Sequence, residues 1–362
     1  MCRWFAYISP DEPCLVSDVL ITPPHGLTQQ VSSHYLPYLT QHQLSDDMKD
    51  DVVSSDPSAP SDRLAPRTTN TANAAIAALK AQNMNLNTDG GGIAVFTDTR
   101  SSFTDPGSAP VLHPFAIHYV QPLHNELSFR SLAENTATTC LMAHVRMTSA
   151  APVATLNCHP FVFGRWAFMH NGVVAGIHLI RRPLTAGLSQ DAYEAIQGGT
   201  DSEVMGALLV DVLTGAKGKK AWHDDHSPAE MLEAVEKTFK IIHEAQRKYD
   251  SSCPPSSLNV CISDGMKMVA TRFRNSEEEQ PPSLYWSEKA GVTLNRKFSG
   301  HPDPAQHEGR RGSKDDSEHG KHVIIASEPS TFIEEDWHLL PRNSAIIVDA
   351  QGQMKTKEIG PF

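Results

Sequence analysis

The 362-residue sequence lacks several features that would assign it to a common class of protein. No run of about 18 apolar residues occurs, so no segment is expected to cross a membrane. No long run of Lys and Arg occurs either, and 42 acidic residues against 31 basic residues give a formal net charge of −11. An acidic chain of this kind is poorly suited to holding a nucleic acid or an anionic membrane surface.

Signals for export, metal binding and phosphate binding are also missing. The opening segment MCRWFAYISPDEP has no long apolar core, so we expect no secretory signal and a cytoplasmic location. The six cysteines lack paired metal-ligand spacing and are expected to be reduced thiols. Gly90–Gly92 leads into a strand pattern and not into a helix, which is not the pattern of a phosphate loop. We therefore expect neither a metal nor an organic cofactor.

What is present is an ordinary globular composition, with 40% hydrophobic and 20% charged residues. We interpret residues 1–362 as a single domain that is interrupted by two polar segments. Residues 43–69 are rich in Asp, Ser and Pro and are expected to form a disordered acidic insertion, and residues 300–321 are expected to form a flexible loop.

Alternation of hydrophobic and polar residues predicts strands in both halves of the chain. The predicted strands are Cys2–Ile8, Gly92–Phe96, Pro114–Tyr119, Leu141–Val145, Trp166–Met169, Leu258–Ser263, Met268–Phe273, Leu284–Trp286, Val323–Ala326 and Ala345–Val348. Between them, the sequences TDSE at 200–203 and SPAE at 227–230 are typical of helix starts. Strands on both sides of a pair of helices favour a layered α+β fold.

Cys2 is a candidate nucleophile because of its position. Removal of Met1 would leave a thiol and a free α-amine on the same residue, and an α-amine titrates near ~7.7–8.0. At neutral pH this amine can take the thiol proton and later return a proton to a leaving amine. A cysteine at position 2 is more often only a structural residue, so the signal is weak when taken alone.

Three further sites carry candidate residues, each with an alternative structural interpretation. Arg146 ends a buried strand and suits a substrate carboxylate, although a structural ion pair is the commoner role of such an arginine. Asn171 and Gly172 combine an amide side chain with a backbone N–H, as an oxyanion hole requires, although Asn-Gly often forms only a turn. Asp201 would lie in the first turn of a helix, where it would pair with a substrate ammonium or only complement the helix dipole.

The order of these motifs resembles the class II glutamine amidotransferase family over residues 1–213. The set is Cys2, then NTDG at 87–90, HVR at 144–146, HNG at 170–172 and TDSE at 200–203. The resemblance implies the four-layer αββα sandwich of N-terminal-nucleophile hydrolases. It also implies roles, which are Cys2 as nucleophile, Asn171 and Gly172 as oxyanion hole, Arg146 for the substrate α-carboxylate, Asp201 for the α-ammonium, and Asp89 and Gly90 for the shape of the pocket.

The second half resembles stand-alone members of this family. Its segments SLNVCISDG at 257–265 and ASEP at 326–329 are similar to a group that includes the fungal glutathione-degrading subunit and the ergothioneine-pathway γ-glutamyl hydrolase. This implies hydrolysis of a γ-glutamyl amide, in glutathione or a related γ-glutamyl thiol, with a metallopeptidase-like subunit as a possible partner. Two alternatives stay open, a glutaminase that supplies ammonia to a separate synthase and a non-catalytic scaffold. Met147 stands where many relatives of the synthase type carry Trp, and this difference leaves the identity of the substrate open.

Overall fold

The computed structural model describes residues 2–31, 87–104, 110–148, 151–249, 252–290 and 320–362. The predicted acidic insertion at 43–69 lies outside the described residues, and so does the predicted loop at 300–321 apart from residues 320 and 321.

The described residues form helices and strands in a mixed order. The α-helices are α1 Val16–Leu20, α2 Thr99–Thr104, α3 Leu127–Asn135, α4 Ile177–Ala186, α5 Gln190–Ala195, α6 Asp201–Leu213 and α7 Pro228–Tyr249. The strands are β1 Arg3–Ile8, β2 Cys14–Leu15, β3 Gly91–Thr97, β4 His113–Tyr119, β5 Ala137–Thr138, β6 Cys140–Val145, β7 Phe161–Phe163, β8 Trp166–Val173, β9 Ser257–Ser263, β10 Met268–Arg272, β11 Tyr285–Ser287, β12 Val323–Ala326, β13 His338–Leu339, β14 Ser344–Val348 and β15 Met354–Glu358.

Two antiparallel sheets dominate the fold. A seven-stranded sheet has the order β13-β11-β12-β1-β6-β3-β4, and a six-stranded sheet has the order β15-β14-β10-β9-β8-β7. Strand β1 lies inside the first sheet between β6 and β12, so the N-terminal strand is paired on both edges. Strand β12 comes from the C-terminal part of the chain, and the two ends of the sequence therefore build one sheet together.

The hydrophobic residues divide into three clusters that correspond to the spaces between four layers. Alternate residues of β1 point to opposite faces, as the two-residue period of a strand requires. Phe5 and Tyr7 pack with α1 and α3 on the outer face, whereas Trp4 and Ala6 face the second sheet. Helices α4, α6 and α7 cover the other face of the six-stranded sheet. This is the αββα sandwich that the sequence predicts.

Both predicted helix starts are present, and they differ in detail. At α7 the box is reciprocal, since Ser227 Oγ accepts from the Glu230 N–H and the Glu230 carboxylate accepts from the Ser227 N–H. At α6 the Thr200 hydroxyl accepts from the Glu203 N–H at 3.1 Å. The Glu203 carboxylate instead accepts from the N–H groups of Gln197 and Gly198, so it fixes the loop before the helix.

Several elements have no clear signal in the sequence. Helix α4 contains Pro183, which normally argues against a helix interior. Strand β15 is polar and mostly exposed, because it lies at the sheet edge. The short helix α1, at Val16–Leu20, also has no clear signal. Among the described helices, none is long and apolar enough to cross a membrane.

Candidate functional site

Three neighbouring strands bring the N-terminal residues of the proposed site to one end of the seven-stranded sheet. Arg3 pairs with Val145, and Gly91 pairs with the same residue from the other side. Cys2 therefore lies beside the residues that follow β6, and so does Gly90, whose carbonyl accepts from the Arg146 N–H at 2.8 Å. The register of β1, β6 and β3 is thus sufficient to assemble this half of the site.

The sulfur of Cys2 lies against the backbone of Met147. The Met147 N–H donates to Cys2 Sγ at 3.2 Å, and the Met147 carbonyl accepts from the thiol at 3.3 Å. Burial raises the pKa of the Cys2 thiol above its ordinary value, while the Met147 N–H and the charges of Arg146 and Arg3 act in the opposite direction. The thiol is therefore protonated at neutral pH and requires a base before it becomes a nucleophile.

Arg146 is buried at the same end of the sheet. Its guanidinium donates to Thr148 Oγ1 at 3.0 Å, to the Ala151 carbonyl at 3.0 Å and to the Pro152 carbonyl at 3.2 Å. These bonds take three of the five N–H donors of a guanidinium and fix the direction of its plane. No acidic group pairs with Arg146 among the residues that the structure describes, so the charge is available to an anion.

The second sheet supplies Asn171 and Gly172 near the end of β8. Gly172 lies opposite Leu258 of β9, and Leu258 donates its N–H to the carbonyl of Phe273, which follows β10. The Gly172–Leu258 pair is therefore not hydrogen-bonded, and the N–H of Gly172 points away from β9. A Cβ at Gly172 would lie 1.8 Å from the Ser257 carbonyl oxygen, so this backbone approach requires glycine. Asn171 is buried, and its Oδ1 has no partner among the described residues.

Asp201 begins helix α6 and faces the same cavity. Its Oδ2 accepts from the Val174 N–H at 2.8 Å, and its Oδ1 accepts from the Ser202 N–H at 2.8 Å. The carboxylate is thus held by two backbone donors, one from each side of the cleft between β8 and α6. A cavity of about 120 Å³ is lined by the four residues Cys2, Arg146, Gly172 and Asp201, together with others.

Asp89 and Gly90 lie behind this cavity and act through their neighbours. Asp89 Oδ2 accepts from the Thr148 N–H at 2.8 Å, and the Asp89 N–H donates to the Arg146 carbonyl at 3.2 Å. At Gly90 the φ angle is +95°, and a Cβ would lie 2.3 Å from the Tyr119 carbonyl oxygen. Both residues fix the backbone around Arg146, and neither is among the residues that line the cavity.

Comparison with known proteins agrees with this geometry. No protein-family model matches the chain. A curated protein of Saccharomyces cerevisiae, described as probable glutamine amidotransferase DUG3, is 29% identical over 272 residues, which is 74% of this chain and 71% of the yeast protein. The chain is thus similar in sequence to a protein described as a glutamine amidotransferase. A solved structure from Silicibacter pomeroyi, described as a glutamine aminotransferase class-II domain protein, superposes with a TM-score of 0.52 at 17% identity. The superposition covers 99% of this chain and 100% of the other protein, and it shows that the two share a fold.

The structure adds to this candidate site a buried ion cluster that the sequence interpretation missed. Glu328, which follows β12, accepts from Arg3 Nε at 2.6 Å and from His25 Nε2 at 2.8 Å. Arg3 Nη1 also donates to the carbonyl of Cys2 at 3.0 Å. The motif ASEP at 326–329 was noted in the sequence, but the pairing of its glutamate with a residue at the opposite end of the chain has no local signal.

Three buried histidines lie at or near the cavity, and the sequence interpretation gave none of them a role. His159 and His170 line the cavity with Cys2, and His144 is not among the lining residues. His144 and His159 are buried with ring centroids 4.1 Å apart. Neither ring nitrogen of His159 has a hydrogen-bond partner among the described residues. Burial lowers the pKa of His144 to about 3 and that of His159 well below its ordinary value, so both rings are neutral. His170 follows on β8 and is hydrogen-bonded on both ring nitrogens.

Proposed function

We propose that this chain hydrolyses a γ-glutamyl amide bond and releases glutamate, with Cys2 as the nucleophile. One observation supports this above the others, which is that a thiol, a guanidinium and a carboxylate line one small cavity. Cys2, Arg146 and Asp201 supply these groups. A ligand with a carboxylate, an ammonium and a carbonyl within a few bonds would meet all three, and the γ-glutamyl group has this set.

The first step is activation of the thiol. Because burial raises the pKa of Cys2, the thiol does not ionise by itself at neutral pH. Once residue 1 is removed, the α-amine of Cys2 would titrate near ~7.7–8.0 and would act as the base. The sulfur then attacks the γ-carbonyl carbon, and the ammonium so formed returns its proton to the leaving amine. Water releases glutamate from the thioester in the second half of the reaction.

Asn171 and Gly172 are the proposed oxyanion hole. The N–H of Gly172 points away from β9 and lies at the cavity, which leaves it available to an oxyanion. The Asn171 amide would supply the second donor. Removal of one such donor typically costs about 10²–10³ in kcat.

Arg146 and Asp201 are proposed to read the two charges of the glutamyl head group. Arg146 would hold the α-carboxylate with its remaining N–H donors, and Asp201 would hold the α-ammonium. Asp89 and Gly90 would support Arg146 by fixing its backbone and that of Thr148. Glutathione or a related γ-glutamyl thiol is the proposed substrate, on the strength of the resemblance in the second half of the chain.

Two further proposals concern the setting of the enzyme. None of the six cysteines forms a disulfide, which supports a reducing, cytoplasmic location. A metallopeptidase-like protein is the proposed partner, again from the resemblance of residues 257–265 and 326–329 to the stand-alone group.

The test is an assay of glutamate release from glutamine, glutathione, γ-glutamylcysteine and a γ-glutamyl sulfoxide, with Cys2→Ala as the control. We expect release from a γ-glutamyl thiol to exceed release from glutamine by at least about tenfold in kcat/KM, equivalent to ~1.4 kcal/mol. Preference for glutamine would instead favour a glutaminase that feeds a separate synthase. No release from any of the four by the chain with a free Cys2 amine would overturn the proposal.

A further inference from the structure

His170, Ser202 and Asp201 form a hydrogen-bonded chain beside the cavity. His170 Nε2 lies 3.0 Å from the Ser257 carbonyl oxygen, and His170 Nδ1 lies 2.9 Å from Ser202 Oγ. Ser202 Oγ in turn lies 3.2 Å from Asp201 Oδ1. The chain therefore joins a buried imidazole on β8 to the carboxylate that begins helix α6.

The chemistry of these atoms restricts where the protons lie. A carbonyl oxygen only accepts, so Nε2 of His170 carries a proton in either charge state of the ring. In the neutral ring Nδ1 is an acceptor, and the hydroxyl of Ser202 donates to it. In the protonated ring Nδ1 becomes a donor to Ser202 Oγ, and the single hydroxyl proton of Ser202 is then free to turn to Asp201. Ser202 thus links the charge of His170 to the hydrogen bonds of Asp201.

The surroundings of His170 favour the neutral ring. The residue is 1% exposed. The buried rings of His144 on β6 and His159 in the loop before β7 interact electrostatically with His170 and with Arg146. Burial lowers the pKa of His170, against the opposing effect of Asp201 on α6 and of the Ser257 carbonyl on β9. At neutral pH the Oδ1 of Asp201 therefore keeps a lone pair that is not committed to Ser202 Oγ.

We propose that His170 and Ser202 are positioning residues for Asp201. At neutral pH they leave Asp201 Oδ1 free to bind the substrate ammonium. When His170 is protonated, Ser202 donates to Asp201 Oδ1 and this oxygen is no longer available to the ammonium. This deepens the proposed function and rests on it for the role of Asp201. Because the coupling is thermodynamic, an ammonium bound at Asp201 must also disfavour protonation of His170. A ligand without the amine has no such effect.

The test compares L-glutamate with glutarate, which has the same two carboxylates and no amine. The measured quantity is the ratio of the two dissociation constants by calorimetry at pH 7.5 and pH 5.0. Each constant is referred to the ligand with both carboxylates ionised, because glutarate takes up a proton within this range. For the wild type we expect the preference for glutamate to fall about tenfold over this range, the effect of one hydrogen bond to a charged group. Ser202→Ala should reduce that fall to less than about threefold, and Ser202→Thr should restore it.

Ser257→Ala is the matched control. It removes a buried hydroxyl that has no partner among the described residues and keeps the carbonyl that His170 contacts. This variant should retain the pH dependence of the wild type. A Ser202→Ala protein that also retains it would overturn the coupling.

A second measurement does not depend on ligand binding. Nitrogen-15 NMR of the histidine rings, assigned with His170→Asn, should show the neutral ring of His170 protonated on Nε2. A proton on Nδ1 of the neutral ring would overturn the chain of hydrogen bonds. Failure of wild-type protein to bind glutamate, with the Nε2 tautomer present, would instead contradict the proposed function while the hydrogen-bonded chain remained.

Discussion

Arg3 donates from Nε to Oε1 of Glu328 over 2.6 Å, although the two residues are 325 positions apart in the sequence. Both side chains are buried, at 3% and 1% exposure. The same guanidinium donates to the carbonyl of Cys2, and His25 occupies the other carboxylate oxygen. A residue near the C-terminal end of the chain therefore fixes the backbone of the proposed nucleophile.

Glu328→Gln tests this relationship. Loss of one partner of a buried ion pair typically costs ~3–5 kcal/mol, because the remaining charge has no compensation. We expect a loss of this order in the free energy of unfolding, measured with urea. We also expect a fall in kcat that exceeds the change in KM, because Arg3 orients Cys2 and lies outside the substrate cavity.

The matched control is Glu236→Gln, which removes an exposed ion pair with Lys357 at 3.4 Å. Exposed pairs contribute only ~0–1 kcal/mol, so this variant should unfold within about 1 kcal/mol of the wild type. Equal effects of the two variants on stability and kcat would show that the buried pair has no special role.

Cys2→Ala should abolish glutamate release, whereas Cys253→Ala should retain it. Only Cys2 places a thiol at the cavity beside Arg146 and Asp201, and Cys253 lies before β9 outside that lining. The measurement is kcat for the preferred γ-glutamyl substrate, together with the mass of the mature chain. Full activity of Cys2→Ser with Met1 still attached would contradict the N-terminal mechanism.

Gly172→Ala should destabilise the sheet and remove activity. Its Cβ would meet the Ser257 carbonyl oxygen at 1.8 Å, so β8 and β9 would have to separate locally. Overpacking of this kind typically costs ~1–3 kcal/mol. Gly187→Ala is the control, since its Cβ would lie 3.6 Å from the Leu184 carbonyl oxygen, an ordinary contact. Thermal unfolding of both variants decides the prediction, and equal melting temperatures would contradict it.

The sequence was sufficient to predict strongly apolar strands such as β1 and β9, and the helix starts at Thr200 and Ser227. It was not sufficient for β15, because an exposed edge strand need not alternate. The gathering of Cys2, Arg146, Gly172 and Asp201 follows from the order of motifs in a known fold, and their roles stay predictions.

The contacts that fix the site were harder to predict than the residues that line it. The pairing of Glu328 with Arg3 depends on β12 entering the sheet beside β1, and this long-range register leaves no mark on the local sequence. The chain from His170 to Asp201 likewise depends on how α6 packs against β8. Conformational details of this kind come from tertiary packing and not from spacing.

Stability should fall in acid because of buried histidines, and His243 offers a test away from the site. Burial between Phe273 and Phe362 lowers the pKa of His243 to about 4, so below pH ~6.5 the unfolded chain binds a proton that the folded chain does not. His243 alone would lower the free energy of unfolding by up to ~1.4 kcal/mol for each pH unit between about pH 6.5 and 4. His243→Leu should reduce the loss between pH 7 and 5, as measured by urea unfolding.

The control for the acid test is His124→Leu, at an exposed position. It should leave the pH dependence of the unfolding free energy unchanged. If His243→Leu loses as much stability as the wild type between pH 7 and 5, then His243 is not held neutral in the folded protein.

The last prediction concerns the two charges of the cavity. Arg146→Ala and Asp201→Ala each remove one charged partner of the proposed zwitterion, an interaction of ~1.5–3 kcal/mol with the other group left unpaired. Each variant should lose roughly ten- to thousandfold in kcat/KM. Arg146→Ala should stop discriminating against substrates with an amidated α-carboxylate, and Asp201→Ala against N-acetylated ones. Steady-state kinetics with the free and blocked substrates measures both effects.

The double variant separates a shared pocket from two independent defects. Arg146 and Asp201 line one cavity with Cys2 between the two sheets, and both would orient the same γ-carbonyl toward the thiol. Their losses should therefore be less than additive, since either change alone already misplaces the reacting carbon. Arg247→Ala, at an exposed position on α7, should keep wild-type preference. If Arg146→Ala and Asp201→Ala also keep full preference for the free zwitterion, the pocket lies elsewhere. A pocket that binds the carboxylate through Arg146 and the ammonium through Asp201 must lose this preference when either charge is removed.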